Sequence, residues 1–236
     1  MPSERPDLLN APAYSAPDAA RILNLPKSTV RNWSFGQQGR VRADQARRFP
    51  AVISAADPAR KLLSFSNLCE LHVLSAIRRE HRVALPVVRK SVDFVRKQMK
   101  SARPLLDVDF STNGVSLFVE RASQLLNVSQ EGQLAMRGEF KRALVRIKRD
   151  RAGAPVRLFP FTRIQREKMP QPEIIAIDPT IAFGRPMLAQ AGVKTEVIAS
   201  RFAAGDAPKE LAVDYGVSEA DILEALRYEQ RWAQAA

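Results

Sequence analysis

The sequence has 236 residues, of which 45% are hydrophobic and 26% charged, and its net charge at pH 7 is +12. This composition is typical of a globular protein and excludes a chain that is disordered throughout. A single cysteine and two histidines exclude an intramolecular disulfide, a cysteine zinc cluster and a histidine-rich metal site. The low cysteine content, the lack of a signal-peptide core in MPSERPDLLNAP and the lack of an apolar run of membrane-spanning length predict a cytoplasmic protein.

Residues 1–13 are rich in proline and polar side chains and are predicted to be a flexible leader. Ser15 and Asp18 form a capping-box pattern, which predicts a helix that ends at Asn24, a residue that tolerates the left-handed conformation. The elements predicted next are a helix over about 27–33, a hairpin of residues 47–56 and 60–66 around a turn at 57–59, and amphipathic helices over 66–80 and 85–99.

From residue 104 the hydrophobic period changes from helical to two, which predicts a β-rich middle segment over 101–161. Leu106, Val108 and Phe110 alternate with aspartates, and Val115, Leu117 and Val119 alternate on a return strand after a turn at 111–114. A second hairpin around 130–132, one basic helix in EFKRALVRIKRD and a strand in PVRLFPF complete the predicted segment. We expect this segment to be the dimerisation surface.

The last part of the chain follows a predicted linker over 162–172. It begins with a short strand, EIIAI, and a turn at FGRP. Three helices are predicted over about 195–204, 207–215 and 218–232. Gly205 is expected to end the first, Asp206 to cap the second, and Ser218 with Asp221 to cap the third.

The charge changes sign along the chain. Residues 1–100 have a net charge of +10, residues 101–170 of +6 and residues 171–236 of −4. A basic front and an acidic back predict two different partners. The alternative is that both parts carry only ordinary solvated charge.

Two segments share the spacing of a helix-turn-helix motif. In this motif a small residue lets the second helix cross the first, a turn residue follows four positions later, and a branched apolar residue anchors the second helix. The alternative is a plain helical hairpin without a DNA role. The first segment has Ala20, Asn24 and Val30 at these positions, and the second has Ala212, Gly216 and Ile222.

The first motif has side chains suited to DNA, whereas the second does not. Arginine can pair with guanine, asparagine with adenine, and hydroxyls with phosphate. Residues 217–229 of the second motif have a net charge of −3, so we expect a protein contact there instead. The candidate DNA contacts are Lys27, Ser28, Thr29, Arg31 and Asn32 on the second helix, with Arg40 and Arg42 beyond it and Arg60 and Lys61 on the hairpin, which would act as a wing.

Residues 14–99, from YSAPDAARILNLPKSTVRNW to LCELHVLSAIRREHRVALPVVRKSV, resemble the DNA-binding domain of MerR-type regulators. STVRNW stands where that family has Thr-Leu-Arg-Tyr-Tyr. The resemblance implies a winged helix-turn-helix domain in which Thr29 and Arg31 contact DNA.

Residues 173–230, with their FGRP, ELAVDY and DILEALRY stretches, are similar to a small bacterial antitoxin domain. Longer versions with an N-terminal DNA-binding region are VapB-type antitoxins of type II toxin–antitoxin pairs. The resemblance implies a PIN-domain ribonuclease toxin as the partner. The toxin contacts that we expect are Phe183, Gly184, Arg185, Pro186, Glu219, Glu224, Tyr228 and Trp232.

The predicted fold class is α+β, with a MerR-like winged helix-turn-helix domain over 14–100, the β-rich middle over 101–161 and a three-helix toxin-binding domain over 173–236. The predicted function is an antitoxin that neutralises the toxin and represses its own operon by binding operator DNA. We expect a homodimer and a hetero-oligomer with the toxin, and no enzymatic activity, cofactor, metal or membrane partner. Two alternatives remain: a MerR-like ligand-sensing transcription regulator without a toxin partner, and an architectural DNA protein such as an excisionase.

Overall fold

The structure is a computed structural model that describes residues 7–233 except 43, 44, 82, 112, 127 and 164–171. At 38–48, 77–81 and 231–233 it describes the backbone and not the side chains. Within these limits the fold mixes helices with short antiparallel strand pairs, which confirms the α+β class. The chain divides into two compact units, residues 1–155 and 156–236.

The first unit begins with a helix pair and a hairpin and continues with four longer helices. Strand β1 pairs with β4, and β2 pairs with β3, both antiparallel. The elements are β1 Tyr14–Ser15, α1 Ala16–Leu23, α2 Lys27–Phe35, β2 Gln37–Arg42, β3 Gln45–Phe49, β4 Leu62–Leu63, α3 Phe65–His81, α4 Leu85–Met99, 3-10 turns at Pro104–Leu106 and Val108–Ser111, α5 Asn113–Leu126, α6 Gln130–Leu144 and β5 Ile147–Arg149.

The second unit is a small strand pair followed by three helices. β7 pairs antiparallel with β8, and the core behind them is formed by residues that include Ile175, Leu188, Ile198, Leu211 and Ile222. The elements are β6 Pro155–Leu158, β7 Ile175–Ala176, a 3-10 turn at Ala182–Gly184, β8 Met187–Leu188, α7 Thr195–Ala203, α8 Pro208–Tyr215 and α9 Glu219–Ala233.

The predicted wing lies in the wrong place. The hairpin is formed by β2 and β3, in which Gln37 pairs with Phe49 and Gly39 with Arg47, and not by residues 47–56 and 60–66. The sequence of this hairpin is polar and rich in arginine, and it lacks the hydrophobic alternation that predicts strands. The apolar residues Val52 and Ile53, predicted as strand, are instead buried, and both their amides bond the carbonyl oxygen of Trp33 at the end of α2.

The β-rich middle is also wrong, because residues 113–126 and 130–144 are helices. Val115, Phe118, Val119 and Ala122 are buried, a spacing of three and four that belongs to one helix face. Val115, Leu117 and Val119 have the period of a strand, while Val115 and Val119 also have the four-residue spacing of a helix, so this short stretch fits both. The hairpin predicted around 130–132 is the first turn of α6, where the Ser129 hydroxyl accepts a hydrogen bond from the Gly132 amide at 3.2 Å.

The three predicted C-terminal helices are present, with one cap misassigned. Asp206 does not cap α8, because its carboxylate accepts from the Arg201 guanidinium at 2.5 Å. Glu210 instead accepts from the amide of Ala207, the residue before α8, at 3.0 Å. Residues 164–171 of the linker predicted over 162–172, and residues 1–6 of the predicted leader, lie outside the described residues.

A buried polar network holds the segment after the wing against α3. The Asn67 side chain accepts hydrogen bonds from the amides of Ala56 at 2.9 Å and Ser64 at 3.1 Å. It donates to the Ser54 carbonyl at 2.8 Å and to the Glu70 carboxylate at 2.9 Å. Asn67 therefore replaces backbone partners that this loop could not otherwise find in the interior.

Glu70 makes this network sensitive to pH. Burial raises the pKa of its carboxyl from 4.5 to about 7, although the charge of Arg103 and the hydrogen bond from Asn67 oppose the shift. The folded protein therefore binds a proton that the unfolded chain releases between these two values, so the free energy of unfolding falls as pH rises through that window. The loss is about 3 kcal/mol when it is complete.

We predict that Glu70→Gln removes this decline, because glutamine keeps the hydrogen-bonding shape and cannot ionise. Urea unfolding of both proteins across pH 4.5 to 7, the window set by the two pKa values, measures it. The matched control is Glu120→Gln on the exposed side of α5, which should decline like the wild type. An unchanged decline in Glu70→Gln would contradict the assignment.

Candidate DNA-binding and partner-binding sites

The first helix-turn-helix is set by a cap and a left-handed turn. The Ser15 hydroxyl accepts from the Asp18 amide at 3.2 Å, and the Asp18 carboxylate accepts from the Ser15 amide at 3.1 Å, as the capping-box pattern predicts. Asn24 has φ +52° and ends α1, while Ala20 and Val30 are 1% and 0% exposed. Ala20, Asn24 and Val30 therefore have the burial and the backbone geometry that the motif requires at its small, turn and branched positions.

Helix α2 presents Lys27, Ser28 and Arg31 to solvent and leaves Asn32 half-buried. Its opposite face carries Val30 and Trp33, both essentially buried, which contribute roughly 1.5–3 kcal/mol each by the hydrophobic effect. Thr29 is 5% exposed, so its side chain has almost no surface for a DNA contact. The exposed face of α2 is therefore basic and hydroxyl-bearing.

The base of the wing is fixed to α2 and α4. Gly36 has φ +78°, and a Cβ atom there would lie 2.5 Å from the Phe49 carbonyl oxygen, so a larger residue would push the wing away. Arg89 donates to the Pro50 carbonyl at 2.8 Å, and Arg96 donates to the Val52 carbonyl at 3.0 Å. These contacts hold the segment that follows the wing against α4.

The other predicted DNA contacts divide into two groups. Arg40 and Arg42 lie on strand β2 of the wing, and their side chains lie outside the described residues. Arg60 and Lys61 are exposed, but they lie on a tight turn closed by paired hydrogen bonds between Asp57 and Leu62, not on the wing. The structure therefore brings the first pair to the wing and separates the second from it.

The second helix-turn-helix has the same backbone geometry. Gly216 has φ +63° at the end of α8, and Ala212 and Ile222 are 7% and 0% exposed. The Ser218 hydroxyl accepts from the Asp221 amide at 3.2 Å, and the Asp221 carboxylate accepts from the Ser218 amide at 3.1 Å. Both copies of the motif therefore fold alike, and they differ in the side chains that they expose.

The FGRP segment forms a strained, exposed loop. Ala182, Phe183 and Gly184 all have positive φ, at +51°, +55° and +69°. Left-handed geometry costs roughly 1–2 kcal/mol for each residue with a Cβ atom. Phe183 is 90% exposed, and the Lys194 ammonium lies 5.8 Å from its ring centroid. Backbone strain of this kind concentrates at functional sites.

The remaining loop residues support this arrangement. Gly184 is buried, and Arg185, two residues before β8, is exposed. Its amide donates to the Ala182 carbonyl at 3.0 Å, and the half-buried Pro186 accepts from the Thr195 amide at 3.0 Å. Phe183 and Arg185 therefore project from one short loop whose base is fixed to α7.

Two of the predicted toxin contacts lie in the interior. Glu224 is 1% and Tyr228 3% exposed. The Glu224 carboxylate accepts from the Thr162 hydroxyl at 2.7 Å and from Arg163 at 2.8 Å. Burial by itself would raise the pKa of Glu224, but the hydrogen bonds from Arg163 and Thr162 outweigh it and lower the pKa. Glu219 is exposed, and the Trp232 side chain lies outside the described residues.

Sequence reasoning missed the arginine that joins α7 to α8. Arg201 donates to Asp206 at 2.5 Å, to Asp214 at 2.7 Å and to the Tyr215 hydroxyl at 3.3 Å. It also missed Lys194, which reaches Phe183 only because the fold brings together residues that the sequence separates. Neither residue belongs to a motif with a fixed spacing, so no sequence signal points to them.

The described residues contain no cluster of three or more metal-ligating side chains. Cys69 and His72 are buried on α3, as expected for core residues, and the His72 Nε2 atom lies 3.2 Å from the Ala143 carbonyl oxygen. Across the part of the chain that the structure describes, every helix is too short or too polar to cross a membrane.

Two family models match separate parts of the chain. Residues 12–92 match a family described as "Putative DNA-binding HTH domain". Residues 175–228 match a family described as "Protein of unknown function (DUF433)". The first match covers the first helix-turn-helix and the wing, and the second covers the FGRP loop and the second helix-turn-helix.

A named relative and a solved structure, both from Mycobacterium tuberculosis, are similar to nearly the whole chain. One, named "Putative antitoxin VapB45", is 24% identical over 234 residues, which are 92% of this chain and 93% of that one. The crystal structure of Rv2018 has a TM-score of 0.64 and 20% identity, covering 92% of this chain and 98% of that one. The chain thus has a helix-turn-helix domain at its N-terminus and a full-length homologue named as an antitoxin.

Proposed function

We propose that this chain is an antitoxin that neutralises a PIN-type ribonuclease through its second unit and represses its own operon through its first. The name of the full-length homologue supports an antitoxin, and the matching helix-turn-helix family supports a DNA-binding regulator. Both roles are binding roles, so the chain acts as a regulator and not as an enzyme.

The observation that carries this proposal is the contrast between α2 and α9. The two helices follow the same left-handed turn, yet α2 exposes Lys27 and Arg31. Residues 217–229 carry a net charge of −3, which is −2 at the surface because Glu224 is buried. A basic helix gains free energy by releasing counterions from DNA, whereas an acidic helix would be repelled by phosphate. The same motif is therefore suited to DNA in the first unit and to a protein in the second.

In the DNA-binding unit, Lys27, Ser28 and Arg31 are the contacts that we propose for the major groove, with Asn32 at the edge of that surface. Arg31 is suited to a guanine edge, and Ser28 to phosphate. Arg40 and Arg42 on the wing would follow the DNA backbone. Thr29 packs beneath the exposed face and would act by holding α2 in position.

In the second unit, the FGRP loop is the toxin contact that we propose. A PIN-type nuclease holds divalent metal ions with clustered carboxylates, and a basic side chain such as Arg185 has the charge to enter that site. Phe183 would anchor the loop, since aromatic side chains that fill a pocket often dominate interface energies. The acidic surface that includes Glu219 would cover the neighbouring RNA-binding groove. Glu224 and Tyr228 would support this surface from inside.

We also propose a homodimer, because paired winged domains read two half-sites and gain affinity on a palindromic operator. The middle of the chain remains the pairing surface that we propose, now through helices and not through strand edges. Leu126 on α5 and Leu134 on α6 are 41% and 68% exposed there. Sedimentation that finds only monomers at micromolar concentration with operator DNA would contradict pairing.

We predict that Arg31→Ala weakens operator binding by roughly 1–3 kcal/mol, because a base contact of this kind is worth that much. Capture of the ribonuclease should not change. A gel-shift titration measures the first effect and co-purification with the product of the neighbouring reading frame measures the second. The matched control is Lys209→Ala, which removes one exposed charge from the second unit; equal affinities for Arg31→Ala and the control would exclude Arg31 from the site.

We predict that Phe183→Asn weakens ribonuclease binding at least tenfold, which is about 1.4 kcal/mol, because the anchor is lost. The same change should leave the thermal stability unchanged or raise it, since asparagine tolerates positive φ better than phenylalanine. Calorimetric titration and a thermal melt measure the two effects. Leu8→Asn, which removes an exposed apolar side chain from the first unit, is the control. Full ribonuclease affinity in Phe183→Asn would exclude the loop as the anchor.

A further inference from the structure

The first unit contains an open cavity of about 740 Å³ between α5, α6 and β5. This volume lies within the range of small-molecule sites, roughly 300–1,000 Å³. Its apolar lining includes Val115 and Ile147, which are 7% and 4% exposed, and Val145, which is 57% exposed at the rim. The elements that form the cavity follow α2 much later in the chain, and the proposed DNA-binding role does not use them.

The polar lining of this cavity has one sign of charge. Among the described residues that line it, Arg137, Lys141, Lys148 and Arg149 are cationic and none is acidic. Arg137 and Lys141 lie four residues apart on α6, so they share one helix face. Four cations around an apolar floor attract an anion that also has an apolar body.

Arg149 is fixed at the wall of the cavity. One of its terminal nitrogens donates to the Leu106 and Gly153 carbonyls, each at 2.7 Å. Burial lowers the pKa of its guanidinium, and the charge of Asp107, which does not line the cavity, opposes this shift. Arg137 is held in a similar way by a 2.6 Å hydrogen bond to the Ser116 hydroxyl. These two side chains are thus positioned before any ligand arrives, which lowers the entropic cost of binding.

We propose that this cavity binds a small anionic amphiphile, a carboxylate with an aliphatic chain of about ten carbons. The carboxylate would pair with Lys141 and Arg137, and the chain would cover Val115 and Ile147. Charge complementarity selects an acid over a neutral or cationic compound of the same length. The volume suits a flexible chain and exceeds what a bare inorganic anion would fill. This site does not depend on the proposed antitoxin function.

Calorimetric titration of the full chain with decanoate, and with decanol as the neutral compound of equal length, tests the proposal. We expect one decanoate per chain, bound roughly tenfold more tightly than decanol, because one charge-assisted contact is worth about that factor. Lys141→Gln should remove most of this preference, since Lys141 is exposed and its loss leaves the fold unchanged. Val145→Trp should fill the cavity from its rim and abolish binding of both compounds. Lys209→Gln, a matched charge loss in the second unit, should bind like the wild type.

Three outcomes would overturn the proposal. The first is that decanoate does not bind the wild type, or that it binds Val145→Trp as tightly as the wild type. The second is displacement of decanoate by duplex DNA of any sequence, which would assign the four cations to a nucleic-acid surface. The third is a dimer that Val145→Trp converts to monomer in sedimentation, which would make the cavity an interface between two copies of the chain.

Discussion

A left-handed residue four positions after a small side chain determines how both ends of this protein are organised. Asn24 and Gly216 take this conformation, and in each case it directs the next helix across the one before. The crossing is possible because Ala20 and Ala212 leave room at the point of contact. With the second helix fixed in this way, one of its faces is buried and the other is offered to a partner.

The exposed chemistry then decides what each copy can bind. The first copy presents a basic face, and Arg89 and Arg96 hold the segment that follows the wing by their hydrogen bonds to backbone carbonyls. The second copy follows the FGRP loop in the chain, and the strained backbone of that loop holds the Phe183 ring in solvent. Loops of that kind are retained at a cost in stability, which is consistent with selection for binding. The same supersecondary geometry thus carries a basic surface in one unit and an acidic one in the other.

The sequence predicts local features well where several signals agree. The caps at Ser15 and Ser218, the turns at Asn24 and Gly216, and the periodic helices that follow them are all present. It fails where local patterns are ambiguous. The sequence of the β2–β3 hairpin lacks hydrophobic alternation, and the alternation around residues 106–119 is too short to distinguish a strand from a helix.

The candidate binding sites, like the fold, can be predicted from the sequence only in part. Residue type identifies which positions carry suitable chemistry, but tertiary packing decides which of them reach the surface. Thr29, Glu224 and Tyr228 have the right chemistry and lie inside. Phe183 was predicted from its motif, while the positive φ angles and the nearby Lys194 that make it distinctive appear only in the folded chain. The cationic cavity likewise joins residues from three elements that no spacing in the sequence connects.

Hydrogen–deuterium exchange of the full chain tests the division of labour most directly. It compares the free protein with two samples, one containing operator DNA and one containing the PIN-type ribonuclease. We predict that DNA slows exchange in α2 and the wing and leaves the loop over 181–186 unchanged, and that the ribonuclease does the reverse. Protection of α9 by DNA, or protection of α2 by the ribonuclease in the absence of DNA, would contradict the assignment of the two helix-turn-helix motifs to different partners.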